Sequence, residues 1–236
     1  MNISARTDIG QEKATNEDAL TTTEFESAHL LIVADGMGGH AAGDVASDMA
    51  TSIMSETVAT ALECDRMDYA SILDDAITKA DQEIREYAGT ENIHTMGTTA
   101  VAAIITADDI VIANVGDSRA YNVGGSLEQI TVDHSLVQEL IDEGEITLEE
   151  AKTHPQRNVI FQSLGTESSV SPDFYQPDID EYLLMCSDGL TEEVNEKIIY
   201  DIIDSAESLS TAVDELVSTA NTNGGSDNIA VILSEC

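Results

Sequence analysis

Residues 98–117 read TTAVAAIITADDIVIANVGD, two runs of alanine, valine and isoleucine separated by Ala107-Asp108-Asp109. Runs of this composition around a short polar turn predict a hairpin, and therefore antiparallel pairing. The next stretch, AYNVGGSLEQIT (120–131), repeats the arrangement about Gly124-Gly125. Upstream, Val45, Met49, Ile53, Ala61 and Leu62 recur at helical spacing, and a second stripe runs through Tyr69, Leu73, Ala76, Ile77, Ala80, Ile84 and Tyr87. Downstream, YLLMCSD (182–188) predicts a strand, 192–206 and 209–220 two helices, and GGSDNIAVILSE (224–235) a turn into a last strand. Helices grouped together and strands in hairpins predict an α+β protein with layered sheets rather than alternating βαβ units. One domain is expected over 1–236. Residues 135–165 leave its main body as an excursion, marked by a capping box from Thr147 to Glu150 and a break at His154-Pro155.

Charge narrows the partners. Against 46 acidic residues stand nine Lys and Arg, giving a formal net charge of -37 over 236 residues. Such a surface repels nucleic acid and anionic membranes before contact forms. The acids are dispersed along the chain beside an ordinary 42 % of hydrophobic residues, so the pattern is an anionic outer surface on a folded core. A halophilic cytosol is the expected setting, because molar salt screens charge within about 3 Å. Cys64, Cys186 and Cys236 show no CxxC spacing and predict neither zinc nor a disulfide framework. No apolar leader or membrane-length run is present, so a cytoplasmic protein is expected, and the lack of an added domain favours a monomer.

The chemistry concentrates in LLIVADGMGGHAAGDVAS, residues 30–47. From Gly36 to Ala41 the spelling is GxGxxA, that of a dinucleotide-binding turn and hence an oxidoreductase. Asp35 opposes that reading, since it would face a pyrophosphate with like charge, and Glu56 falls within a helical pattern instead of at a strand end. No Lys-Ser or Lys-Thr follows, so a Walker A loop is excluded. Alternatively, a carboxylate at a strand terminus and the next carbonyl turn toward a hard cation. Other acids recur in such places: Glu17 and Asp18 in NED, Asp117 in GDSRAY, Asp188 in SDGL and Asp227 in SDNIAV. Most aspartates in so acidic a chain are solvated surface; adjacency to apolar strands sets these apart.

TDIG, NED, DGMGGHAAGD, MGTTAV, GDSRAY, DHSLVQELIDEGEI, HPQRNVI, CSDGL and SDNIAV occur in that order from about Thr7 to Leu233. Together they resemble the metal-dependent protein phosphatase family, type 2C, in its single-domain bacterial and archaeal form. The resemblance implies a four-layer α/β/β/α sandwich of two antiparallel sheets flanked by helix pairs. It implies two Mn or Mg ions and hydrolysis of protein phosphoserine and phosphothreonine by an activated water, without a covalent intermediate, in opposition to a Ser/Thr kinase. Asp35 and the Gly36 carbonyl are then metal ligands, joined by Asp188 and Asp227, with Asp18 and Glu17 ordering metal-bound water and Asp117 serving a third ion. Lys13 stands where the family usually has a phosphate-binding arginine. His40 has two readings, a general acid or a cap for the following helix, because Met37 occupies the place of the eukaryotic members' histidine. Arg119 is expected in an ion pair, Gly97-Thr98-Thr99 in packing, His134 and His154 in structure, and 135–165 as a flap beside the site. A phosphatase for a sigma-factor regulator and a non-catalytic phosphoprotein-binding relative are the alternatives.

The charge reading has a direct test. Melting in low and in molar KCl is expected to show a midpoint that rises with salt, and equal midpoints would exclude the halophilic setting.

Overall fold

The computed structural model describes residues 1–38, 42–64, 67–93, 95–166 and 170–236. In chain order its elements are β1 (Ile3–Asp8), β2 (Asp18–Glu24), β3 (His29–Gly38), α1 (Ala42–Glu63), α2 (Tyr69–Glu91), β4 (Met96–Thr98), β5 (Ala100–Ile105) and β6 (Ile110–Val115). There follow β7 (Arg119–Val123), β8 (Leu127–Gln129), α3 (Leu136–Asp142), α4 (Leu148–Ala151), β9 (Asp173–Tyr175), β10 (Tyr182–Cys186), α5 (Asp188–Thr191), α6 (Glu196–Ser205), α7 (Leu209–Asn223) and β11 (Ile229–Glu235).

Both expected hairpins form, but in different sheets. One sheet has the order β2-β3-β5-β6-β9, with β4 also on β3; the other runs β1-β11-β10-β7-β8. The pairings within both are antiparallel. Gly116 lies in the short passage between β6 and β7, at the positive φ of +105°. The chain changes sheets here.

Alternation along the strands explains the layering. In β3, Leu30, Ile32 and Ala34 pack with α1 and α2, while Leu31 and Val33 meet the other sheet through Met185, Ala230 and Ile232. On the far side, Leu184, Val231 and Leu233 pack under α6 and α7. The result is the α/β/β/α sandwich. Side-chain caps start the helices: Asp68, Asn195 and Ser208 accept N–H bonds at the beginnings of α2, α6 and α7. The capping box from Thr147 to Glu150 also forms.

Several expectations shift. In α1 the buried stripe runs through Ala46, Ala50, Met54 and Val58, leaving Val45 and Met49 on its flank, because small alanines let this helix lie close to β3. Tyr87 is exposed; Ala88 takes the inward place in α2. β10 ends at Cys186, and Ser187 takes the position before α5 instead of extending the strand, with no side-chain bond to the helix. β1, β2, β4 and β9 were not expected as strands. The dinucleotide turn is excluded, since β3 is antiparallel to its neighbours and α1 leads to α2 rather than to a parallel strand. Among the described residues no helix is long and apolar enough to cross a membrane.

Leu31 is fully buried between the sheets. Its replacement by alanine is expected to cost about 2–5 kcal/mol of unfolding free energy in urea titration.

Candidate metal centre

Asp35 lies inside β3, not at its terminus, because the strand continues from Gly36 to Gly38 by pairing with β4. Thr99 stands opposite. Its hydroxyl accepts the Asp35 N–H at 2.9 Å, in place of a ladder carbonyl, and its own N–H reaches the Asp35 carbonyl at 2.8 Å. Thr98 adds a hydroxyl to that carbonyl at 2.9 Å. Thr98 and Thr99 therefore grip the backbone of Asp35 from three points, a role beyond the packing expected of them.

Asp18 is the cross-strand partner of Asp35. One of its oxygens accepts from the Ser187 hydroxyl at 2.7 Å, and that hydroxyl in turn accepts the Ala230 N–H at 2.9 Å. Ser187 thus joins the two sheets beside Asp188. Glu17 donates its N–H to the Asn228 side chain at 2.8 Å, while its carbonyl takes the Gly36 N–H at 3.0 Å. Two close approaches require glycine. A Cβ on Gly36 would lie 2.1 Å from the Gly43 carbonyl oxygen, and one on Gly189 would lie 1.9 Å from that of Asn228.

Lys13 pairs with Asp227 at 2.5 Å. Burial works to lower the lysine pKa, but the bond to Asp227 and the charges of Asp227, Asp35 and Glu17 together outweigh it, and the pKa is raised. Arg119 forms the expected ion pair, its Nη2 2.6 Å from Asp133. Arg157, in the excursion, reaches Glu192 at 3.4 Å. Cys186 is a buried strand thiol pushed up to about 12 by desolvation, and no nucleophile.

The carboxylates press on one another. Desolvation, then the charges of Asp188 and Asp227, lift Asp18 to about 7 against the help of Ser187. Desolvation followed by Asp188 and Asp133 lifts Asp117 to about 7. Asp35 rises well above the carboxylate range through desolvation and the charges of Asp18, Asp188 and Asp117; Asp188 rises through desolvation and Asp227. Glu17 is raised mainly by desolvation. Asp18, Asp35, Asp117, Asp188 and Asp227 come from separate places in the chain, yet they share one electrostatic site. Among the described residues no three acidic, histidine or cysteine side chains close around a single point. His40 and His94 lie outside the described residues.

Comparison with known proteins agrees with this architecture. The family model "Protein phosphatase 2C" matches residues 9–234. The chain belongs to the protein phosphatase 2C family. It is similar to the serine/threonine phosphatase stp of Listeria welshimeri, 44 % identical over 100 % of this chain and 96 % of that one. The S. agalactiae serine/threonine phosphatase structure superposes with a TM-score of 0.90 at 36 % identity, covering 98 % of both chains. A structure of the catalytic domain of the phosphatase PstP in complex with two manganese ions does so at 0.85 and 32 % identity, over 99 % of this chain and 97 % of that one.

The residues fit a divalent cation of the kind the 2C family uses. One oxygen of Asp18 and one of Asp188 are buried without a hydrogen-bond partner. Buried polar atoms are seldom left so, and here each faces like charge that a cation would neutralise. The donor set is oxygen throughout, suited to Mg or Mn over softer metals. Of the supporting residues, Ser187, Thr99 and Asn228 were not singled out as site residues in the sequence, though all three lie in quoted motifs. A hydroxyl or amide immediately next to an acid, Ser187 before Asp188 and Asn228 after Asp227, is the signal that would have found two of them; Thr99 has no acid beside it in the chain and meets Asp35 only across the sheet.

The raised carboxylates give a pH signature. Their folded pKa values exceed the ordinary 3.8, so the folded chain holds these protons more tightly than the unfolded one. In the metal-free chain this stability is present in full below about 3.8 and is lost as pH rises through about 7. Manganese competes with those protons. The rise in melting midpoint on adding Mn is therefore expected to grow from about pH 5 to about pH 8, and a pH-independent rise would separate these carboxylates from the metal.

Proposed function

We propose that this chain is a protein serine/threonine phosphatase acting through two divalent ions held by Asp35, the Gly36 carbonyl, Asp188 and Asp227. The observation that carries the reading is the set of desolvated, mutually repelling aspartates, two with orphaned oxygens, on the scaffold of the 2C family. When bound, Mn or Mg supplies charge to polarise the phosphoryl oxygens and an acidified water to attack phosphorus.

The chain's own residues do the rest. Thr98 and Thr99 fix Asp35 through its backbone, and Ser187 aligns Asp18 beside Asp188. Asp18 and Glu17 orient water at the site. Lys13 brings one positive charge into an acidic surround, where it offsets the substrate phosphate as a point charge without the arginine fork. Asp117, with Asp188, serves a third and weaker ion. His40 protonates the leaving group directly or through water.

Residues 135–165 form the flap of a single domain spanning 1–236, and Arg157 ties it to Glu192. Phosphoproteins labelled by a Ser/Thr kinase are the substrates, in a signalling role. A halophilic, cytoplasmic monomer accords with the charge of -37.

Hydrolysis of p-nitrophenyl phosphate in high salt with manganese tests the reading. EDTA, or Asp35→Asn in a chain that still melts cooperatively, is expected to bring turnover to background. Undiminished turnover in that variant would remove Asp35 from the centre.

A further inference from the structure

Asp117 sits on a short turn beside the flap, and the two must be held in register. The geometry points to His134 as a positioning residue that locks the Gly116-Asp117 turn and both ends of the flap into one unit.

His134 contacts the turn twice. Its backbone N–H donates to the Gly116 carbonyl at 3.0 Å, and its ring Nδ1 accepts the Gly116 N–H at 3.2 Å. An amide can only donate, so Nδ1 carries no proton and Nε2 does. That Nε2–H lies 3.1 Å from Asp173 at the start of β9 and donates to it. The tautomer is thus fixed by the turn on one side and oriented by a carboxylate on the other. The ring is almost wholly buried, with 9 % of the side chain exposed.

The flap closes on the same residue. The His134 carbonyl accepts the Phe161 N–H at 2.8 Å, Ser135 bridges Ile160, and Leu136 donates to the Val159 carbonyl at 2.8 Å. The entry and exit of the flap are zipped together at His134. Beneath the turn, a Cβ on Gly116 would lie 2.6 Å from Thr99 Cγ2, so the turn cannot sink toward β5. It is clamped between Thr99 and the imidazole. Thr99 also grips Asp35, so the clamp shares a residue with the principal site. A flap that shifts therefore moves Asp117, and a cation drawn to Asp117 stiffens the flap.

Two variants of similar size separate this role from bulk packing. In His134→Asn the introduced amide oxygen stands near the place of Nδ1 and keeps the Gly116 bond; His134→Leu keeps volume and loses it. Exchange of the Gly116 amide, followed by NMR in the metal-free chain, and a manganese isotherm are read together. In His134→Leu, Gly116 exchange is expected to quicken about tenfold and the weakest manganese step to weaken about tenfold, as for loss of a residue orienting a metal ligand. His134→Asn restores both. Wild-type values in His134→Leu, or no recovery in His134→Asn at equal melting midpoint, would overturn the proposal. Should His134→Leu fail to fold, Asp173→Ala replaces it, with a smaller shift in the same direction expected and an unchanged Gly116 rate overturning. The manganese arm rests on the phosphatase reading: a wild-type chain that takes up no manganese defeats that reading, while the Gly116 exchange still judges the clamp.

Discussion

Asp18, Asp35, Asp117 and Asp188 repel one another, and the backbone gives them no way to part. Asp35 is pinned by three hydrogen bonds from Thr98 and Thr99, and Asp18 is set opposite it by the register of β2 on β3. Ser187 then holds Asp18 from the other sheet. Desolvation makes each carboxylate prefer its neutral form, and each neighbour's charge adds to that preference. A divalent ion reverses the sign of the local field. The strain of assembling like charges without a cation is the same physical quantity that favours binding one.

Holding such a group needs a rigid rim, and the sandwich supplies it. Leu31 and Val33 pack against Met185, Ala230 and Ile232 directly behind Asp35, so β3 cannot rotate. Glycines allow the closest approaches: Gly36 lies against Gly43 and Glu17, and Gly189 against Asn228. Asn228 fastens the segment before β2 to the segment before β11, donating to the Ile9 and Thr15 carbonyls and accepting from Glu17.

The anionic exterior and the anionic centre are separate phenomena. Exposed acids such as Glu149 and Asp201 pair with Lys152 and Lys197 within about one helical turn, where water and salt weaken the pairing. Among the described residues Asp18, Asp35, Asp117 and Asp188 have no such ion pair; of the central aspartates Asp227 does, with Lys13. The few cations are distributed unevenly: Lys13 and Arg119 lie at or beside the centre, bound to Asp227 and Asp133.

What depends on local order was legible in the chain. β-rich apolar runs around Ala107-Asp108-Asp109 and Gly124-Gly125 specified the hairpins, and 3.6-residue stripes specified the helix pairs, because each pattern is a property of neighbouring residues. The motif order marked Asp18, Asp35, Asp117, Asp188 and Asp227 as a set. Which sheet each hairpin joins was settled by packing alone, since β6 and β7 are adjacent in sequence yet pair in different layers. Packing also settled that β4 extends β3 past Asp35, that Ala88 rather than Tyr87 turns inward, and that Ser187, Thr99 and His134 support the site. Most of these are contacts across tens to hundreds of residues, and no periodicity encodes a partner that distant. Their energy exists only once the two sheets have packed.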